Sequence, residues 1–237
     1  MVQLRGIFTV QKPLALFVTG TSTNIGKTVV TGHLARFFDQ RGWQVTTQKW
    51  VQSGSVTPSD IQVHDHIRNH TADRHLLPLR CPYCFALAAS PHLAARHAGV
   101  AISGERLIAA TQTLRNRFDM VLIEGSGGVA VPVTEKETTL DILGRCALPT
   151  LVVAANQLGT LNHTLLTVLA LRSRQIPVIG VVLNGISDVS AEVAADNPLI
   201  IEALSGVPVL ASLSSPPSET EIVKMGNRIL ARMEEGL

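Results

Sequence analysis

The run Phe17-Val18-Thr19-Gly20-Thr21-Ser22-Thr23-Asn24-Ile25-Gly26-Lys27-Thr28 has the residue types and the order that phosphate chemistry requires. An apolar strand enters a Gly/Thr-rich loop and leaves through Gly-Lys-Thr into a helical pattern, the form of a phosphate-binding loop. Its backbone N–H groups and the helix start, over Asn24, Ile25, Gly26, Lys27, Thr28 and Val29, offer donors and partial positive charge to a triphosphate. Lys27 would reach the β and γ phosphates, and the Thr28 hydroxyl would ligate Mg²⁺. Gly20 and Gly26 are separated by five residues, one more than the usual spacing.

Five further places carry candidate residues, most of them where apolar runs end. Lys49 leaves one such run ahead of Trp50-Val51-Gln52-Ser53-Gly54, aimed at a bound triphosphate. Glu124 leaves another, followed by Gly125-Ser126-Gly127-Gly128, whose missing side chains admit close backbone approach. Glu124 reads as a Mg²⁺ ligand or water-holder, or as a strand-end acid facing water. Asp60 opens a helical pattern after Pro58-Ser59, either as a first-turn acid or as a third Mg²⁺ ligand. The segment Gly159-Thr160-Leu161-Asn162-His163 starts a strong helix whose free N–H groups suit an anion such as a carboxylate, or else Asn162 is its cap. Asn184-Gly185 ends a further run, where the amide either pairs with adenine or shapes the turn.

Positioning these residues requires alternating elements. Strand-length apolar runs at residues 15–19, 44–48, 120–124, 150–154, 178–183 and 207–210 alternate with helical patterns at 27–41, 103–117, 161–174, 191–204 and 219–235. That alternation predicts a mostly parallel sheet covered by helices on both faces, with ligands at the carboxyl edge. The stretch from Asp60 to Ser103, with Pro78, Pro82 and Pro91, is irregular and long enough to be a functional or interface excursion. No linker interrupts residues 1–237, so one domain is expected; residues 1–12 receive no role.

Composition excludes several classes. A net charge of +2, with 16% charged residues and no basic cluster, gives no ground for a nucleic-acid partner. No apolar run reaches the roughly 20 residues that span a bilayer, and the run from Leu14 to Val18 is too short for a secretory signal, so a cytoplasmic protein is expected. Three cysteines fit a reducing compartment. Cys81-Pro82-Tyr83-Cys84 spells a redox motif but lacks a preceding strand, and His92 and His97 make a poor zinc set with it.

In sequence order, these motifs resemble the dethiobiotin synthetase family of P-loop proteins. The five-residue insert between Gly20 and Gly26 matches that family's loop, Gly-Thr-Asp-Thr-x-Val-Gly-Lys-Thr. The matches continue through Gln48 to Gly54, Ser59-Asp60, Pro82 to Phe85 and Ser90-Pro91-His92, then Glu124 to Gly128 and Leu158 to His163. The resemblance covers roughly residues 14 to 210 and implies a P-loop three-layer fold. It also implies an ATP- and Mg²⁺-dependent cyclo-ligase. In that family 7,8-diaminopelargonate takes up CO₂ as a carbamate, ATP phosphorylates it, and the second amine closes the cyclic urea of dethiobiotin.

Carried over, Lys27 and Lys49 would stabilise the transferring phosphoryl group and the carbamate, while Thr28, Asp60 and Glu124 would hold Mg²⁺. Thr23 and Ser53 would orient the diamine and carbamate. The nucleotide would also meet Gly125, Ser126, Gly127 and Gly185, with Asn184 on adenine. Gly159, Leu161 and Asn162 would receive the distal carboxylate across a homodimer interface. Trp50 stands where the family has proline, an expected source of a displaced Lys49 or a reshaped pocket. Ser22 and Asn24 replace acids, and residues 212–217 depart from the family pattern. Two other ATPase classes share the fold: amidating ligases, which append a glutamine-hydrolysing domain, and partitioning ATPases, which place a lysine where Ser22 stands.

Overall fold

A computed structural model describes residues 14–71, 73–185 and 189–235. The unassigned residues 1–12 fall outside that set. Element order is β1 (Leu14–Gly20), α1 (Lys27–Asp39), β2 (Val45–Lys49), β3 (Val51–Ser53), α2 (Ser59–Arg68), α3 (Leu77–Arg80), β4 (Tyr83–Phe85), α4 (Pro91–His97) and α5 (Gly104–Arg115). It continues with β5 (Met120–Gly128), α6 (Thr139–Cys146), β6 (Thr150–Ala155), α7 (Thr160–Ser173), β7 (Val178–Asn184), α8 (Ala191–Ser205), β8 (Val209–Leu213) and α9 (Glu219–Glu234).

The main sheet runs β2-β5-β1-β6-β7-β8 with every pairing parallel. Strand parity divides its side chains between two cores. Leu16, Val18, Met120, Leu122, Leu151 and Val153 face one side, where Phe37 and Phe38 of α1 and Met225 and Ile229 of α9 cover them. Ala15, Phe17, Val121, Ile123, Val152 and Ala154 face the other, under Leu107 and Leu114 of α5, Ile142 of α6 and Leu171 of α7. Both faces are dry, as a parallel sheet demands. Each fully buried Leu or Phe contributes about 1.5–3 kcal/mol through its removal from water.

Element ends follow local chemistry. Helix α5 begins at Gly104 because Ser103 is its cap, its hydroxyl accepting from the Arg106 N–H at 3.2 Å. Strand β8 starts at Val209, since Pro208 has no N–H to donate and offers only its carbonyl, to Val181. Helix α6, unassigned from the sequence, is opened by reciprocal capping between Thr138 and Asp141.

The excursion after β2 is built rather than loose. β3 and β4 form a second parallel pair, with Gln52 opposite Cys84 and Ser53 opposite Phe85. Helix α2 lies on α1 over Gly32, where a Cβ would come 2.7 Å from Ile67 Cδ1 and 3.4 Å from His64 Cα. Buried Arg80 fastens α3 to β2, donating to the Thr47 carbonyl at 3.0 Å and to both Asp65 oxygens at 2.7 and 2.9 Å. These contacts bring the start of α2 to the carboxyl edge of the sheet. Among the described residues, no helix is long and apolar enough to cross a membrane.

Candidate functional site

β1 ends at Gly20 and the loop turns into α1 through Gly26, at φ 91°. No side chain caps α1, and its first turn carries no acid, so the leading N–H groups remain open to an anion. Only glycine fits at position 26: besides the positive φ, a Cβ would stand 2.0 Å from Asn184 Nδ2. That amide, at the end of β7, donates to the Ile25 carbonyl at 3.1 Å and holds the loop from beneath. Lys27 Nζ turns back to donate to the Ser22 carbonyl at 2.7 Å. Burial, then the neighbouring Lys49 ammonium, lowers the Lys27 amine to about 8 against the opposing carboxylates of Glu124 and Asp60.

Glu124 is the hub. Its register in β5 sets it opposite Lys49 of β2 and Val18 of β1, at the point where all three strands deliver side chains to one edge. Oε1 accepts from Lys49 Nζ at 2.7 Å and from Thr28 Oγ1 at 3.1 Å. Oε2 lies 2.9 Å from His64 Nε2. Lys49 also donates to the Gly125 carbonyl at 3.1 Å and pairs with Asp60 Oδ2 at 2.7 Å. Burial alone would raise the Glu124 pKa, but the Lys49 ammonium and the His64 hydrogen bond outweigh it and hold the carboxyl below its ordinary range. Burial likewise opposes charge on Lys49, yet Glu124 and Asp60 keep its amine above the usual value.

A cleft opens over this hub. Thr23, Asn24, Gly26, Lys27 and Thr28 line it from the loop and α1, and Lys49, Val51, Gln52, Ser53 and Asp60 from β2, β3 and α2. Glu124, Ser126 and Gly127 close it from β5. Asp60 is an acid in the first turn of α2, and its carboxylate faces Lys49. Ile25 and Asn184 lie under the loop, with Gly185 tied to the Leu213 carbonyl at 2.8 Å. Gly159, Leu161 and Asn162 are not on the cleft wall. Asn162 does not cap α7, whose N-cap is Gly159 without a side-chain bond; it stands exposed in the first turn.

Trp50 turns away from the cleft and is not on its wall. Adjacent residues leaving a strand point to opposite sides, so with Lys49 turned into the cleft, Trp50 enters the core. Its ring packs 4.7 Å from Phe17, and Nε1 donates to Thr111 Oγ1 at 3.0 Å. Thr111 Oγ1 in turn donates to Gln48 Oε1 at 2.6 Å, so the Trp50 and Thr111 donors are both paired.

Two side chains at the site were not singled out from the sequence. Gln52 Oε1 accepts from the Asp60 N–H at 3.1 Å, supplying the cap that Pro58 cannot give α2. His64 is fully buried behind Glu124. Its position four residues after Asp60 was the available signal, since that spacing stacks two side chains on one helix face. Cys81 and Cys84 are not on the cleft wall. Burial pushes the Cys81 thiol up to about 12, and Cys84 Sγ lies 3.4 Å from the Ser55 carbonyl. Among the described residues, no group of three or more His, Cys, Asp and Glu is placed to hold a metal by itself.

Known proteins share this chain's pattern and fold. Residues 14–222 match a family model described as an AAA domain. The chain is 38% identical over 172 residues to the ATP-dependent dethiobiotin synthetase BioD 2 of Haemophilus influenzae, covering 72% of this chain and 90% of that one. It is 35% identical over 212 residues to the ATP-dependent dethiobiotin synthetase BioD of Bacillus anthracis, covering 88% and 85%. Among solved structures, the MinC:MinD cell division protein complex of Aquifex aeolicus aligns with TM-score 0.57 at 12% identity over 94% and 95% of the two chains. A ParA family ATPase from Chlorobium tepidum aligns with TM-score 0.54 at 15% identity over 93% and 95%. Those two likenesses speak for the fold alone. The loop's five-residue insert, the Lys49–Glu124 hub and the extent of the sequence match together place the chain in the ATP-dependent dethiobiotin synthetase family.

Proposed function

We propose that this chain closes the cyclic urea of dethiobiotin from 7,8-diaminopelargonate (7,8-diaminononanoate) and CO₂, with ATP converted to ADP and phosphate. The observation that carries this is the buried lysine: Lys49 sits between Glu124 and Asp60 beside the open N-terminus of α1, on one cleft wall with Ser53 opposite Thr23 and Asn24. Phosphoryl transfer asks a protein mainly for position and charge, and these groups supply both.

In this reading the first amine carries CO₂ as a carbamate, whose oxygen attacks the γ phosphorus as ADP leaves. The second amine then attacks the carbonyl carbon of the carbamic-phosphoric anhydride and expels phosphate. Both nucleophiles belong to the substrate, so the chain needs none. The N–H groups over residues 24–29 and Lys27 bind the phosphates, with Gly125, Ser126 and Gly127 against them from β5. Lys49 neutralises the carbamate and the transferring oxygens. Thr23 and Ser53 orient the diamine. Asn184 can use Oδ1 toward adenine while Nδ2 holds Ile25.

The residues fit Mg²⁺. Thr28 and Lys49 meet the same Glu124 oxygen and Asp60 closes the other side, so a cradle of hard oxygens already surrounds a positive charge. Two carboxylates and a hydroxyl suit an ion that completes its shell with phosphate oxygens and water. When bound, it would neutralise charge on the β and γ phosphates.

A homodimer is part of the proposal. Leu158, Leu166 and Leu169, at and within α7, are exposed, as are Leu199 and Leu204 of α8, and an apolar face of this kind suits a second copy. It would set Gly159, Leu161 and Asn162 to take the distal carboxylate outside the chain's own cleft. The test is phosphate release from MgATP by the purified protein. Release is expected only when the diamine and bicarbonate are both present, and equal hydrolysis without the diamine would favour a nucleotide switch.

A further inference from the structure

Glu124 spends its two oxygens differently. Oε1 faces the cleft and takes Thr28 and Lys49, whereas Oε2 faces the protein and meets His64 at 2.9 Å. His64 is fully buried and lines no part of the cleft wall. Its other nitrogen, Nδ1, is buried without a hydrogen-bond partner. An ionised carboxylate only accepts, so the proton of this contact sits on Nε2. A buried imidazole with half its capacity unused is poorly explained as packing, because an aliphatic side chain would fill the space without that cost. The ring is also firmly seated: α2 lies against α1 over Gly32, 3.4 Å from His64 Cα to where a Cβ would stand.

We propose that His64 is a positioning residue for the Glu124 carboxylate. By donating from Nε2 to Oε2 it fixes the carboxylate plane, so that Oε1 alone is presented to the cation held with Thr28 and Asp60. This deepens the metal reading above and rests on it. Groups one shell behind a metal ligand restrict its rotation and commonly change affinity by about 10–100-fold.

The geometry separates position from polarity. In glutamine the amide nitrogen lies the same number of bonds from Cβ as His64 Nε2, whereas in asparagine it lies at the place of Nδ1. His64→Gln therefore keeps a donor on Oε2, His64→Asn keeps polarity without the reach, and His64→Leu removes both.

The experiment titrates Mn²⁺ into each protein with a non-hydrolysable ATP analogue, reading free Mn²⁺ by electron paramagnetic resonance and subtracting binding by the nucleotide alone. His64→Leu and His64→Asn should weaken Mn²⁺ binding by about tenfold or more, and His64→Gln should stay within about threefold of the parent. If His64→Leu does not fold, the Gln and Asn pair decides. Parent-like affinity in all variants, or equal loss in Gln and Asn, overturns the proposal. Absence of protein-dependent Mn²⁺ binding in the parent overturns instead the metal set of Thr28, Asp60 and Glu124.

Discussion

Asn184 and Ile25 lie 159 residues apart and share one hydrogen bond, side-chain Nδ2 to backbone carbonyl at 3.1 Å. It joins the last residue of β7 to the turn of the phosphate loop. The carbonyl is thereby held away from the cleft, and the N–H groups that follow are left facing it. Asn184 is itself buried, so neither partner can turn to water instead.

Asn184→Ala should therefore weaken ATP binding even in the absence of any contact to the base. Leaving a buried carbonyl unpaired costs about 1–3 kcal/mol, or roughly 5- to 150-fold in the dissociation constant. Calorimetric titration of ATP decides it; parent-like affinity would remove the loop-holding role.

Lys49→Ala should abolish diamine-dependent phosphate release while ATP still binds, because its charge acts where the phosphoryl group moves. It also strips the counter-charge from buried Glu124 and from Asp60. Breaking one side of a buried pair costs about 3–5 kcal/mol, and a divalent cation should restore much of it. Melting curves with and without MgCl₂ should differ more for the variant than for the parent. A smaller or equal Mg²⁺ effect in the variant would count against the cradle.

Trp50→Phe tests which side of β2 that ring belongs to. The variant loses the Nε1 bond to Thr111 but keeps an aromatic partner for Phe17. Stability should fall by about 1–2 kcal/mol in denaturant melts, with kcat and KM unchanged. A changed KM for the diamine would return Trp50 to the pocket.

Glu221 predicts an acid limb in the stability curve. Burial opposes its charge, but the N–H and hydroxyl groups of Ser218 and Ser214 together overcome this and bring the carboxyl down to about 2. Four bonds do so, at 2.7 to 3.0 Å, fastening the turn before α9. Because the folded pKa is depressed, the contribution is complete above the ordinary carboxylate range and drains away as pH falls toward 2. Glu221→Gln should lower stability at pH 7 by about 1 kcal/mol, and the gap to the parent should close near pH 2. A gap of constant size across that range would show that the charge is not responsible.

The excursion between β2 and α5 shows where sequence patterning loses its hold. Its three-residue strands β3 and β4 are too short for an alternating pattern, and α3 is one turn long. Such elements exist only because larger ones hold them, through Arg80 on Thr47 and Asp65 and through the Tyr83 hydroxyl, which accepts from the Ser103 N–H at 2.9 Å. Asp60 was legible as a helix-opening acid, but its distance to Lys49 depends on how α2 rests on α1.

The amino-acid order alone determined the phosphate loop, the alternation of strands and helices, and which residues leave the strands at one edge. These are local properties, written in the 2- and 3.6-residue periods and in Gly-Lys-Thr. Only the tertiary structure decided which of Lys49 and Trp50 faces the cleft, that Asn184 props the loop, and that His64 stands behind Glu124. Each of those depends on strand register or helix seating between segments tens of residues apart, and a distance of 2.9 Å between such segments is set by packing rather than by spacing along the chain.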